Sequence, residues 1–168
     1  MERKVALIPR VIMKGAMGPK EYGVLLTDQR AIFVLENVNR AALLGAIGDA
    51  LLSDKKTVDY QTENIDSLAA DEKNVVVPYA GIQKFHMKKG FSSYTMSTMY
   101  TLLIDYVDQN SKSRSVKAFL QPSQEQVHKK KEEGMNAKAT TEEYARNAKK
   151  AMEQAMPPGA LSRGEWDI

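Results

Sequence analysis

The segment Tyr22-Gly23-Val24-Leu25-Leu26-Thr27-Asp28-Gln29-Arg30-Ala31-Ile32-Phe33-Val34-Leu35 constrains the fold more than any other part of this chain. Two short, β-prone apolar runs flank a four-residue polar turn in which Asp28 can bond its own backbone, so the segment reads as a β-hairpin. Upstream, Val5 to Ile8 and Val11 to Met13 flank Pro9-Arg10. Pro9 has no amide donor, which predicts a first strand at a sheet edge or bulged at that point. Lys14 to Lys20 reads as the loop that follows. Val75 to Tyr79 opens another strand after the turn Asp71 to Asn74, and Ile82 to Lys88 continues it with Lys84, His86 and Lys88 on one side of the pleat. The alternation there breaks, and a bulge near Gly81 restores it. Met99 to Val107 and Val116 to Leu120 bring the strands to six or seven. Leu25, Ile32, Val34, Leu102 or Leu103, and Phe119 are the expected core residues.

Two stretches depart from the β pattern. In Ala41 to Leu52, Leu44, Ile47 and Leu51 recur at helical spacing on one face, with Asn37 or Asn39 able to cap the helix. A second short helix is expected over Glu63 to Ala70 with Thr62 as its cap. Beyond Pro122 the composition turns helical. Ser123 with Gln126 and Thr140 with Glu143 have the spacing of capping boxes, and Gly134 between them predicts two helices or one kinked helix. The later helix places Tyr144, Ala148, Ala151, Met152 and Ala155 on one side, and Pro157-Pro158-Gly159 ends it. The organisation read from these signals is one domain over 1–133 with a helical insertion at 37–74, an additional or continued C-terminal helix over 134–156, and a tail over 157–168.

A length of 168 residues suits one domain with an appendage. The absence of cysteine excludes disulfides, thiolate metal sites and a cysteine nucleophile. Met1-Glu2-Arg3-Lys4 leads into too few apolar residues for a signal-peptide core or a span, so a cytoplasmic location is expected. The net charge of +3 is unevenly spread: residues 40–74 carry 7 acidic and 4 basic residues, and residues 75–122 carry 6 basic and 2 acidic ones. That excess is far below the clustered charge of a nucleic-acid binder, and no nucleic-acid partner is expected. His86 and His128 have no second ligand at metal spacing. The carboxylates Asp49, Asp54, Asp105 and Asp108 are scattered, and no Gly-Lys-Ser/Thr follows Gly15 and Gly18. No catalytic residue, metal site or cofactor is read, and no enzymatic activity is expected.

The hairpin with Thr27-Asp28-Gln29-Arg30 at its turn, the strand entered through Val77-Pro78-Tyr79-Ala80-Gly81-Ile82 and the terminal helix together resemble the pleckstrin-homology (PH) superfamily. The nearer likeness is to its prokaryotic PH-like and GRAM-like branches and extends over roughly residues 5 to 133. The resemblance implies an α+β, mainly β fold: a bent antiparallel barrel of six to seven strands capped by a C-terminal helix, here with a long insertion between Glu36 and Asn74. Phosphoinositide-binding members tend to carry a basic pattern across the first hairpin. This chain supplies Lys14 and Lys20 there but has Tyr22 where an arginine would complete the pattern.

The function expected from these features is a non-catalytic binding or assembly module that contacts another protein or its own copy. The contact would use the 41–52 helix through Leu44, Ile47 and Leu51, where Gly45 and Gly48 let a backbone approach closely, and an exposed strand edge. The alternative is a peripheral membrane binder that weakly recognises anionic headgroups through Lys14, Lys20, Lys88 and Lys89. Lys129 to Lys131 sit among Glu125, Glu132 and Glu133 and read as an ordinary charged helix surface. The stretch holding Met87, Met96 and Met99 reads as an adaptable loop.

Overall fold

The turn at Asp28-Gln29 closes the expected hairpin: β2 (Gly18–Thr27) pairs antiparallel with β3 (Arg30–Asn39), setting Val24 opposite Phe33 and Leu26 opposite Ala31. The turn is tied by Thr27, whose hydroxyl oxygen accepts from the amides of Gln29 and Arg30 at 3.1 and 3.0 Å. Asp28 reaches across to the N-terminus and accepts from the Arg3 amide at 2.9 Å. The computed structural model describes residues 1–16, 18–39, 53–55, 58–93 and 97–168, with backbone alone for 38, 39 and 53–55. The helix read over 41–52, with Leu44, Ile47 and Leu51, lies outside the described residues.

Around the hairpin the elements are β1 (Lys4–Gly15), β4 (Ser53–Lys55), α1 (Ile65–Ala70), β5 (Val75–Pro78), a 3-10 turn (Tyr79–Gly81) and β6 (Ile82–Ser92). There follow β7 (Ser97–Val107), β8 (Ser113–Leu120), α2 (Gln124–Glu132), α3 (Ala137–Ala155), α4 (Pro158–Leu161) and β9 (Gly164–Trp166). Eight strands form one hydrogen-bonded path in the order β4-β3-β2-β1-β8-β7-β6-β9, and β5 pairs with β3 beside it. This α+β, mainly β architecture corrects the expected barrel in three ways. The strands outnumber the six or seven expected, the β6–β9 pair is parallel, and among the described residues no pairing joins the two ends of the sheet. Among the described residues, β9 lies on the outer edge of β6 along Phe85–Met87, and β5 and β4 lie on that of β3.

The bulge expected at Pro9-Arg10 is present. Ile8 pairs with Val24 and Val11 with Tyr22, so β1 spends one more residue than β2 over that interval. The amide and carbonyl of Arg10, turned out of the ladder, both meet the Tyr144 hydroxyl of α3: the amide donates to it at 2.8 Å, and it donates to the carbonyl at 2.7 Å. Burial pushes the Tyr144 pKa up to about 12, against the lowering effect of the Arg10 backbone. The Arg10 guanidinium donates to the carbonyls of Gln121 and Pro122 and lies 3.3 Å from Glu21, fastening β1 where β8 ends. Here β1 pairs with β8 only at Val11–Leu120 and Ile12–Phe119. The second expected bulge is also present, with Gln83 as the extra residue between Ile82–Tyr106 and Lys84–Asp105.

Two apolar clusters lie on opposite faces of the sheet. The inner one gathers Ile8, Val24, Phe33, Ile82, Phe85, Met87, Leu102 and Ile104 beneath α3, whose Ala145, Ala148, Ala151, Met152 and Ala155 are buried. Alanines let the helix approach β1 and β7 closely. The outer cluster holds Leu25, Ile32 and Val34 under Leu68 of α1, with Val58 and Tyr60 packed on it. Gly23 makes room for that cover, because a methyl group there would overlap the Tyr60 hydroxyl, which bonds to Glu36. Lys4 ties the segment down by donating to the carbonyls of Tyr60, Gln61 and Glu63. Phe119 belongs to neither cluster and lies half-buried on the outer face. Met87, read as part of a loop, is fully buried.

The helix caps follow the sequence in part. Ser123 and Gln126 form the capping box of α2, and Gly134, at φ +89°, separates α2 from α3. Thr140 is not a cap: α3 begins behind Asn136, and the Thr140 hydroxyl donates to the Asn136 carbonyl from inside the first turn. Asn64 likewise replaces Thr62 as the cap of α1. Residues 157–168 are not a tail, since they form α4 and β9 and close against β6. Among the described residues no helix is long and apolar enough to cross a membrane.

Tyr144→Phe should destabilise the fold by about 1–3 kcal/mol, because it leaves two half-buried backbone groups of the bulge without their partner. Urea unfolding followed by circular dichroism measures this, and an unchanged midpoint would show that the bulge does not need the hydroxyl.

Candidate functional site

Strand register decides where the four lysines read from the sequence point. Directly paired residues share a face of the sheet and successive residues alternate. Met13 pairs with Lys20, so Lys20 lies on the face of Met13 and Gly15 while Lys14 lies on the other. Lys88 and Lys89 separate in the same way. Lys89 follows Phe85 and Met87 onto the inner face, where its ammonium lies 3.7 Å from Glu142 of α3. The register thus divides the four lysines, with Lys14 and Lys88 on the outer face and Lys20 and Lys89 turned away from it.

The outer face gains Lys117, which the sequence reading missed. Rows across the sheet run Lys88–Thr101–Phe119–Ile12 and His86–Leu103–Lys117. The Lys14 and Lys117 ammonium groups lie 5.7 and 5.6 Å from the centre of the Phe119 ring. Strand spacing separates Lys117 from Lys88 by roughly 12 Å. Lys84 is opposed by Asp105 and is locally balanced. The alternation Val116, Lys117, Ala118, Phe119 carried the signal for this face, but only the register joins it to Lys14 and Lys88.

A cleft of about 730 Å³ opens between the β2–β3 turn, α1, the 3-10 turn and α4. Its charged groups are engaged with one another. Arg30 donates to both carboxylate oxygens of Glu2 at 3.0 and 2.8 Å and to Asp66 at 3.0 Å. Asp28 pairs with Arg3, and Arg163 donates to the Ile82 carbonyl. The Tyr79 hydroxyl, at the inner wall, is sealed without a partner among the described residues. Burial first, then the charges of Asp28 and Glu2, push its pKa up. Among the described residues no cluster of histidine, aspartate and glutamate is placed to hold a metal ion.

The best-formed site is the outer edge of β6. Odd-numbered residues turn their backbone groups to this edge: Phe85 donates to the Arg163 carbonyl at 3.2 Å, Met87 accepts from the Asp167 amide at 2.9 Å, and Lys89 donates to Asp167 Oδ2 at 3.0 Å. Gly164, Glu165 and Trp166 of β9 pair with Phe85, His86 and Met87. Trp166 meets the Phe85 ring edge-on at 5.0 Å, and the Lys149 ammonium lies 5.4 Å from the indole centre. Asp167 Oδ1 lies 2.9 Å from His86 Nε2. Beyond Lys89 the next outward position is Phe91, a residue 64% exposed with no partner strand among the described residues. Reading residues 157–168 as a tail hid Gly164, Trp166 and Asp167 from the sequence analysis.

Asp167 is held below the usual carboxylate range, by the hydrogen bond with His86 first and the Lys89 amide second. A lowered carboxyl pKa means that the stabilisation is complete above the ordinary value near ~4 and is lost as pH falls through the lowered one. Glu165, 3.8 Å from His86 Nδ1, and Lys88 are the other charged groups facing this contact. Emission from Trp166, the only tryptophan, should change below pH 4 before the far-ultraviolet dichroism does. Asp167→Asn should remove that separate acid step. No family model, curated protein or solved structure matches this chain.

Proposed function

We propose that this chain is a non-catalytic binding module, built on a PH-like scaffold, that contacts another protein or its own copy through the outer edge of β6. The observation that carries the reading is the half-filled edge: β9 covers Phe85 to Met87, and the strand runs on to Ser92 with Phe91 exposed. An edge with no partner strand among the described residues, beside an exposed aromatic, suits the addition of an extended segment, since main-chain hydrogen bonds supply affinity and side-chain pockets supply selectivity. The non-catalytic part of the proposal draws support from the cleft, where Arg30, Glu2, Asp66, Asp28 and Arg3 satisfy one another. The scaffold reading draws support from the hairpin, the bulged β1–β8 corner and the helix over the inner face.

Phe91→Pro tests the edge without touching the β6–β7 ladder, because residue 91 turns its amide outward. Partner capture, or concentration-dependent association in light scattering, should be lost while the melting temperature stays within about 5 °C. Identical capture and association profiles for the two proteins would sink the proposal.

The second reading, a peripheral membrane role in the cytoplasm, is favoured by Lys14, Lys88 and Lys117 sharing the outer face. Lysines near an anionic bilayer contribute about 1 kcal/mol each and are screened by salt. Binding to phosphatidylserine vesicles should therefore be weak at low salt, absent at physiological salt, and lost in Lys88→Glu with Lys117→Glu. Salt-resistant sedimentation with the vesicles would promote this reading over the first.

A further inference from the structure

We propose that the groove between β6 and α3 is a peptide site for an extended segment of a partner protein with the pattern glycine, any residue, aromatic, aspartate, and that residues 164–167 are its resident occupant. The inference rests on the reading of β6 as a binding edge and adds the identity of the ligand. Each position of the resident segment meets a different demand. At the first, a methyl group on Gly164 would overlap the Phe85 ring, so only glycine lets the backbone approach β6. At the second, the Glu165 side chain is 62% exposed and meets His86 Nδ1 only at 3.8 Å, which restricts that position little. The third is read by the Phe85 ring and the Lys149 ammonium around Trp166. At the fourth, the two carboxylate oxygens of Asp167 are divided between His86 and the Lys89 amide.

The resident segment is anchored by Trp166, which packs against the inner core, and is otherwise held lightly. It holds three residues of ladder at an edge, and its polar contacts sit at the surface: the Asp167 side chain is 39% exposed. Short, solvent-facing edge elements open locally at far less cost than the core. The same segment from a second copy cannot win the groove at ordinary concentrations, because the tethered one acts at roughly millimolar effective concentration. A partner's segment can win by being longer. After the aspartate it continues along β6 to Phe91, gaining ladder bonds and an apolar contact that β9 leaves unused.

The test uses the full chain and a fluorescein-labelled peptide, Arg-Gly-Glu-Trp-Asp-Ile-Thr-Val, followed by anisotropy. The wild type should bind it weakly, and Trp166→Ala with Asp167→Ala, which removes the two resident side chains that hold the segment in the groove, should bind it at least tenfold more tightly. Should that double variant not fold, Asp167→Ala alone decides by the same criterion. A second peptide with valine in place of the glycine should lose at least tenfold on every protein. Equal binding to wild type and variant, or undiminished binding of the valine peptide, would overturn the proposal. So would self-association of the wild type far below millimolar concentration that Trp166→Ala abolishes, since the occupant would then be a second copy. The peptide contacts lie at Phe85 to Lys89, so a failed peptide with Phe91-dependent capture removes this inference alone. Peptide binding with capture indifferent to Phe91→Pro removes only the broader reading.

Discussion

The Tyr144 hydroxyl seated on the Arg10 backbone is the contact on which the rest of the molecule depends. Pro9 cannot donate to a ladder, and the bulge it shares with Arg10 would otherwise leave an amide and a carbonyl unpaired beside the core. One hydroxyl answers both, because it can accept and donate at once. The same contact fixes α3 over β1, where its alanine face closes the inner core. With the Arg10 guanidinium held by Gln121 and Pro122, the two-residue junction of β1 and β8 becomes a defined corner.

Features that local chemistry decides were legible in the sequence. The Thr27-to-Arg30 hairpin, the bulge at Pro9-Arg10, the irregularity after Gly81, the Ser123–Gln126 capping box and the break at Gly134 all follow from a few adjacent residues. The misplaced caps show where local chemistry is degenerate. Thr62 and Thr140 have capping side chains, but Asn64 and Asn136 are as good, and the packing of Leu68 and Ala145 selects between them. β9 has no strand signature at all. Gly-Glu-Trp is extended because the Phe85 ring and the edge of β6 make it so.

The candidate site was the less legible part for the same reason. Whether lysines converge depends on pairings between segments more than a hundred residues apart, and a shift of one residue reverses the answer. Lys14 and Lys88 share a face through the intermediate strands β8 and β7, and Lys20 and Lys89 are turned away by the same pairings. The edge of β6 is equally a product of topology, since its first half is covered by the far end of the chain. Sheets protect their edges with charges, short strands or covering segments, and β6 has Lys88 and Lys89 beside a three-residue cover.

Every residue of β2 from Tyr22 to Thr27 is buried, because α3 covers one face of the hairpin and the Tyr60–Leu68 segment covers the other. Its amides therefore have no route to solvent that spares either core. In deuterated buffer they should form the slowest-exchanging set, released only by global unfolding, so that their exchange reports the stability of the whole molecule. The amides of β6 and β9 around Asp167 exchange through small openings of the edge and report that edge alone.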